Sequence, residues 1–152
     1  MSMKQTAEWA LNLTDQHGVT YSDVRIVDER NRALATKNGR VGHASDSSSL
    51  GIGIRVLADG AWGFAATEDL TRIAVEMTAA KAVEIARASA RVKQENVRLA
   101  PEKPFTDEWT TPYKTDPFST SVEQNIDLLL RVDKELRGVR GITLAETNMN
   151  FR

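Results

Sequence analysis

At 152 residues, with 27% charged residues and a formal net charge of −1, the chain can bury a sizeable core and has no global field toward nucleic acid or an acidic membrane. It has no cysteine, which excludes disulfides, thiolate catalysis and cysteine-held zinc or iron–sulfur centres within these residues. The opening residues MSMKQTAEWALNL lack the apolar core of a signal peptide, and no apolar run approaches the ~20 residues that span a bilayer, so a cytoplasmic location without a membrane partner is expected.

Taken in chain order, Ser2 to His17 predicts a helix. Ser2 and Gln5 have capping-box spacing, and Gly18 stands where a helix stops. Met3, Ala7, Ala10, Leu13 and Thr14 share one side at helical spacing, widened by Trp9 and Leu11. Tyr21 to Glu29 is rich in β-forming residues and predicts a strand. Arg32–Lys37 and Arg40–Ser45 flank Asn38-Gly39, a strong short hairpin signal, with Thr36 set to face Val41 and Leu34 to face His43. Asp46 to Ser49 predicts a polar connection.

Ser49 to Thr67, SLGIGIRVLADGAWGFAAT, is the best-specified stretch. Leu50, Ile52, Ile54 and Val56 alternate with Gly51, Gly53, Arg55 and Leu57, the period of a half-buried strand. A two-residue turn at Asp59-Gly60 sets Leu57 opposite Trp62, Arg55 opposite Phe64, and Gly53 opposite Ala66. On the other face Val56 meets Gly63 and Ile54 meets Ala65, so large residues oppose small ones on both sides.

Thr71 is a suitable N-cap for an alanine-rich helix running to about Val92, with Ile73, Ala74, Met77, Ala80, Val83, Ala86 and Ala90 on a broad apolar arc. From Lys93 to Thr120 the character changes. All four prolines lie here, interleaved with Phe105, Trp109, Tyr113 and Phe118. The aromatics argue for an ordered strap pinned to the surface, because disordered linkers are poor in them. Ser121 and Gln124 then open a helix whose apolar face is Val122, Ile126, Leu129, Leu130 and Leu136, ended by Gly138 or Gly141. Ile142 to Arg152 predicts a last strand that stops without a turn, half of a pairing and a hint that the polypeptide is a fragment. The expected fold is α+β: an antiparallel meander of about five strands packed with three helices, plus a C-terminal strand, in a single domain.

The run YSDVRIV, the block NGRVGHASDSSSLGIGIRVLADGAWGFAATEDL, and the alanine-rich helix after it resemble the N-terminal domain of the TldD/PmbA family. RLAP, DPFSTSVEQNIDLLL and the closing strand continue in that family's order, so the resemblance covers essentially the whole chain. It implies a relation to modulators of DNA gyrase and to zinc-dependent peptidases that act on peptides and small proteins. It also implies a homodimer or heterodimer, some pairs joining a metal-bearing subunit to a metal-free one; the hairpin is closer to the metal-bearing branch. The family's zinc motif, His-Glu-x-x-x-His, belongs to the domain that follows. Two imidazoles one helical turn apart hold the metal, and the glutamate serves as base toward its water. Only His17 and His43 occur here, with no glutamate at that spacing, so no catalytic or metal residue carries over. No cofactor is expected in this chain, zinc is expected in the domain that it lacks, and the chain by itself is expected to be inactive.

Local candidates read as structure. His43 and Asp46-Ser47-Ser48-Ser49 have no base or ligand partner in the sequence. Gly51-Ile52-Gly53 lies inside a strand, not between strand and helix, and so fails as a phosphate loop; such glycines admit another backbone or an aromatic ring. Arg87, Arg91, Lys93 and Arg98 form a modest basic cluster that reads as a solvated face. Trp62, Phe64, Gly51, Gly53 and Arg55 are the candidate partner or peptide contact, because aromatic anchors on a flat small-residue surface suit protein recognition. The expected role is non-catalytic, helping to form the substrate cleft or dimer contact. The competing class is a regulatory module that binds a protein or DNA, although nucleic acid is not expected from the charge, and a third is an inert scaffold.

Overall fold

A computed structural model describes all 152 residues. The elements are α1 (Met3–Gln16), β1 (Tyr21–Lys37), β2 (Arg40–Ala58), β3 (Ala61–Thr67), α2 (Arg72–Ala90), a 3-10 turn (Pro117–Ser119), α3 (Val122–Gly138) and β4 (Glu146–Phe151). The strands form one sheet in the order β3-β2-β1-β4. This is the expected α+β class, with the β runs drawn into fewer, longer strands. Glu29–Asn31 contains no glycine or proline to break β1, and Asp46–Ser49 stays extended within β2. The chain divides into two compact units, Met1–Asp28 with Ser49–Pro104 and Glu29–Ser48 with Phe105–Arg152; β1 and β2 contribute to both.

In the first unit the predicted hairpin forms in the predicted register, Leu57↔Trp62, Val56↔Gly63, Arg55↔Phe64, Ile54↔Ala65 and Gly53↔Ala66. Asp59 and Gly60 take φ of 52° and 75°, the left-handed pair that a type I′ turn needs. Ile52, Ile54, Val56 and Ala58 line the core with Ala10 of α1 and Val75, Ala79, Ala82, Val83 and Ala86 of α2. Gly63 shows why α2 turns that face inward. A Cβ there would meet the Ala82 carbonyl, Ala86 N at 2.5 Å and Ala86 Cβ at 2.9 Å, so helix backbone lies directly on the strand. Close approach selects the alanine seam over the bulkier residues. Ile73 and Met77, expected on the apolar arc, are exposed in consequence.

Both helix starts with capping-box spacing form that box: Gln5 N donates to Ser2 Oγ at 3.2 Å, and Ser2 N to Gln5 Oε1 at 2.9 Å, with the same pair of bonds between Ser121 and Gln124. After α2 the chain clamps the hairpin tip, with Val97 N donating to the Gly60 carbonyl at 2.9 Å and Lys93 Nζ to that of Asp59.

The second unit pairs β1 with β4, from Arg32↔Phe151 to Lys37↔Glu146. Because β1 ends at Lys37, residues 142–145 have no partner there, so β4 begins at Glu146 and not at Ile142. Asn38, at φ 48° in the second hairpin turn, instead joins Ala145 through two bonds of 2.9 Å. Beneath the tip lies a buried polar network. Asp133 accepts from Arg137 Nε at 2.6 Å and Thr36 Oγ1 at 3.3 Å, and Thr36 and Thr147 hydroxyls meet at 2.7 Å. Arg32 is buried on Asp46, at 2.6 Å from Nη2, and on the Thr120 carbonyl, at 2.7 Å from Nη1. Of the four aromatics expected to pin the proline-rich strap, Phe118 does so. It packs edge-on to Phe151 at 6.0 Å, beneath the Arg30 guanidinium at 4.3 Å. Phe105, Trp109 and Tyr113 have no such cover and are exposed, in a segment without helix or strand.

Candidate functional site

The outer face of the first unit begins with strand alternation. With Ile52, Ile54 and Val56 turned to the core, Gly51, Gly53, Arg55 and Leu57 face the other way, joined by Trp62, Phe64 and Ala66 of β3. Arg55 Nε donates to Asp23 Oδ2 on β1 at 2.7 Å, and its guanidinium carbon stands 4.9 Å from the Trp62 ring centroid. Tyr21 meets the same indole edge-on, centroids 5.8 Å apart. The Asp23 carboxylate raises the Arg55 guanidinium above its ordinary value, against the opposing effect of desolvation, and the Tyr21 hydroxyl adds to the rise.

The face therefore has two parts with different jobs. Trp62 is half-buried against Tyr21 and Arg55, and Leu57, its cross-strand partner, is buried. Phe64 stays 57% exposed while its ring lies over Gly53, where a Cβ would stand 3.1 Å from Cε2. The aromatic ring admitted by the strand glycine is thus the chain's own. Arg55 and Phe64, direct cross-strand partners, present a cation beside an apolar ring to solvent.

Tyr21 and Asp23 were not among the sequence candidates, although they belong to the cluster. Their signal is the alternation of Tyr21, Asp23, Arg25 and Val27 along one strand face; nothing local says that this face joins that of Arg55. The remaining candidates stay dispersed. His43 Nε2 lies 3.1 Å from Ser45 Oγ, exposed. Two members of the basic cluster are engaged by carbonyls, Arg87 donating to His17 O at 2.8 Å near the end of α1 and Lys93 to Asp59 O. No group of three or more His, Cys, Asp or Glu side chains converges, so these residues do not fit a zinc site. No helix is long and apolar enough to cross a membrane.

Residues 22–89, which carry this face apart from Tyr21, match the family model for PmbA/TldA metallopeptidase domain 1. Over those residues the chain is identified with the first domain of the TldD/PmbA family. It is similar to a metalloprotease of Methanocaldococcus jannaschii, 22% identical over 116 residues, covering 76% of this chain and 26% of that protein. Among solved structures, a proposed modulator of DNA gyrase from Bacteroides thetaiotaomicron shares the fold at TM-score 0.75 and 18% identity, over 97% of this chain and 34% of that one. TldE from Thermococcus kodakarensis does so at TM-score 0.67 and 12% identity, over 99% of this chain and 32% of that one. The chain described here spans about a quarter to a third of the length of these relatives.

Proposed function

We propose that this chain acts as the first domain of a TldD/PmbA-type metallopeptidase, supplying contact surface and not chemistry. In this reading it helps to enclose an extended peptide or to form the contact between subunits, and zinc is held by another part of the enzyme. The observation that carries the reading is the outer face. Its Arg55 is held by Asp23 and Trp62, and its Phe64 is exposed beside it, a preorganised cation and aromatic ring whose one neighbouring carboxylate is already paired and which has no metal-ligand cluster. Arginine and aromatic residues anchor protein interfaces, and anchors held in place before contact lose less entropy on binding.

A stripe on α3 supports the same reading. Leu128, Val132 and Leu136 recur every four residues and remain exposed, as do Ile142 and Leu144 after the helix. A DNA-binding role, suggested by the names of the gyrase-modulator relatives, gains nothing from the basic cluster, since Arg87 and Lys93 are engaged with carbonyls. The test supplies the 152-residue chain with zinc and a mixture of unfolded peptides, following cleavage by mass spectrometry. The expected result is no zinc-dependent turnover; sustained cleavage by this chain would refute the non-catalytic assignment.

A further inference from the structure

Asn38-Gly39 builds the turn between β1 and β2, and a contact surface makes no use of it. Of the seven asparagines in the chain, Asn38 alone precedes glycine. That pairing carries a chemistry of its own. The nitrogen of the following residue can attack an asparagine side-chain carbonyl, and glycine leaves that nitrogen unshielded because it has no side chain. The other asparagines precede larger residues, which obstruct the approach.

The fold holds both reacting groups. Asn38 Oδ1 accepts from Ala145 N at 2.9 Å, and Asn38 N donates to the Ala145 carbonyl at 2.9 Å. The Gly39 N–H donates to the buried Asp133 carboxylate. Arg137 lies against Gly39, so close that a Cβ there would stand 2.6 Å from Nη2. The nucleophile thus keeps its proton on a carboxylate, and the electrophile is fixed on the residue that leads into β4. Asn38, Gly39 and Arg40 are nonetheless exposed, so water reaches the turn.

We infer that Asn38 is a self-modification site, a deamidation centre that stays closed while Asp133 and Ala145 hold the turn and reacts when they release it. On release, Gly39 N gives up its proton and bonds to Asn38 Cγ. The Cγ–Nδ2 bond breaks, and Nδ2 leaves with that proton as ammonia. Water then opens the resulting succinimide at either carbonyl, giving aspartate or, with the chain rerouted through the side chain, isoaspartate. Water is the one co-reactant. Loss of ammonia makes the step one-way, so an opening of α3 and β4 leaves a permanent mark. Isoaspartate also puts an extra carbon into a turn whose two residues sit at φ of 48° and 77°. The inference is independent of the peptidase-domain reading.

The test incubates the full chain at mildly alkaline pH, with and without concentrated guanidinium chloride. Residue 38 is followed by peptide mass spectrometry, with aspartate and isoaspartate peptides separated by chromatography. The folded chain is expected to convert at least about tenfold more slowly than the unfolded one, with Asn148 and Asn150 unchanged in both. Two variants assign the cause. Asp133→Ala removes the acceptor of the Gly39 N–H and should raise the folded-state rate at least about tenfold. Thr36→Val removes a different hydrogen bond of Asp133, leaves Gly39 held, and should stay within about twofold of wild type. Circular dichroism checks that both are folded; if Asp133→Ala is not, the wild-type comparison still decides. A folded wild type that deamidates as fast as the unfolded chain would overturn the inference. So would a folded Asp133→Ala chain no faster than Thr36→Val, or an unfolded chain in which Asn38 does not convert.

Discussion

Gly63 is the position where a single methyl group should matter most. The atoms facing it are the carbonyl of Ala82 and the nitrogen of Ala86, so a new Cβ presses on helix backbone that cannot rotate away. Moving α2 outward would loosen Val75, Ala79 and Val83 from Ile52, Ile54 and Val56, since these pack in one cluster. Overpacking of a tight core costs about 1–3 kcal/mol, and a clash with backbone belongs at the upper end. The entropy gained by replacing glycine in the unfolded chain returns about 0.4–1 kcal/mol. Gly63→Ala should therefore lose about 2 kcal/mol, or roughly 4–8 °C in Tm for a chain of this size. Gly53→Ala is the matched control, for its Cβ meets only the Phe64 ring at 3.1 Å, which can swing aside into solvent. Urea unfolding followed by circular dichroism measures both. A Gly63→Ala chain as stable as wild type, or one no worse than Gly53→Ala, would refute direct seating of α2 on β3.

Three further outcomes follow from the side chains. Trp62→Ala should cost about 2–3 kcal/mol by removing the ring held against Tyr21 and Arg55, whereas Phe64→Ala should cost under about 1 kcal/mol; equal losses in urea would contradict their different burial. Asp46→Ala leaves the buried Arg32 guanidinium with the Thr120 carbonyl as its one hydrogen-bond acceptor, at a cost of about 2 kcal/mol, moderated because Asp46 is itself exposed and Arg32 still packs on Phe118; an unchanged urea midpoint would show the pair to be dispensable. Asp133 is held below its ordinary carboxyl value, first by the Arg137 hydrogen bond and then by the Gly39 N–H and Thr36, against burial. A depressed folded-state value means that its stabilisation is present above the unfolded value and is lost as pH falls through the folded one. The urea midpoint of wild type should thus fall more steeply below pH ~4 than that of Asp133→Asn; parallel pH profiles would exclude this carboxylate as the cause.

Legibility in this chain followed the distance over which the physics acts. The β2–β3 register was readable because a two-residue turn with two left-handed positions leaves one pairing, and alternation then places every side chain. The capping boxes at Ser2 and Ser121 were readable for the same reason, each closed within three residues. The α2 interface was less so. Hydropathy favoured Ile73 and Met77, but a glycine on the facing strand rewarded close approach by alanines, a preference that exists only once both elements are in place. The strap fared similarly, since composition could count its aromatics without saying that Phe118 alone finds a phenylalanine and two arginines to pack on.

The candidate face divides along the same line. Arg55, Trp62 and Phe64 came from the hairpin itself, while Tyr21, which packs on Trp62, and Asp23, which holds Arg55, arrive from a strand more than thirty residues away. That arrival changes the chemistry expected of the face. An unpaired Arg55 beside two free aromatics would be a flexible, general binder; held by Asp23 and set against Trp62, it offers its outward donors in one direction next to a single exposed ring. Recognition there should accordingly depend on Phe64 and the charge around it, with Trp62 felt mainly through stability.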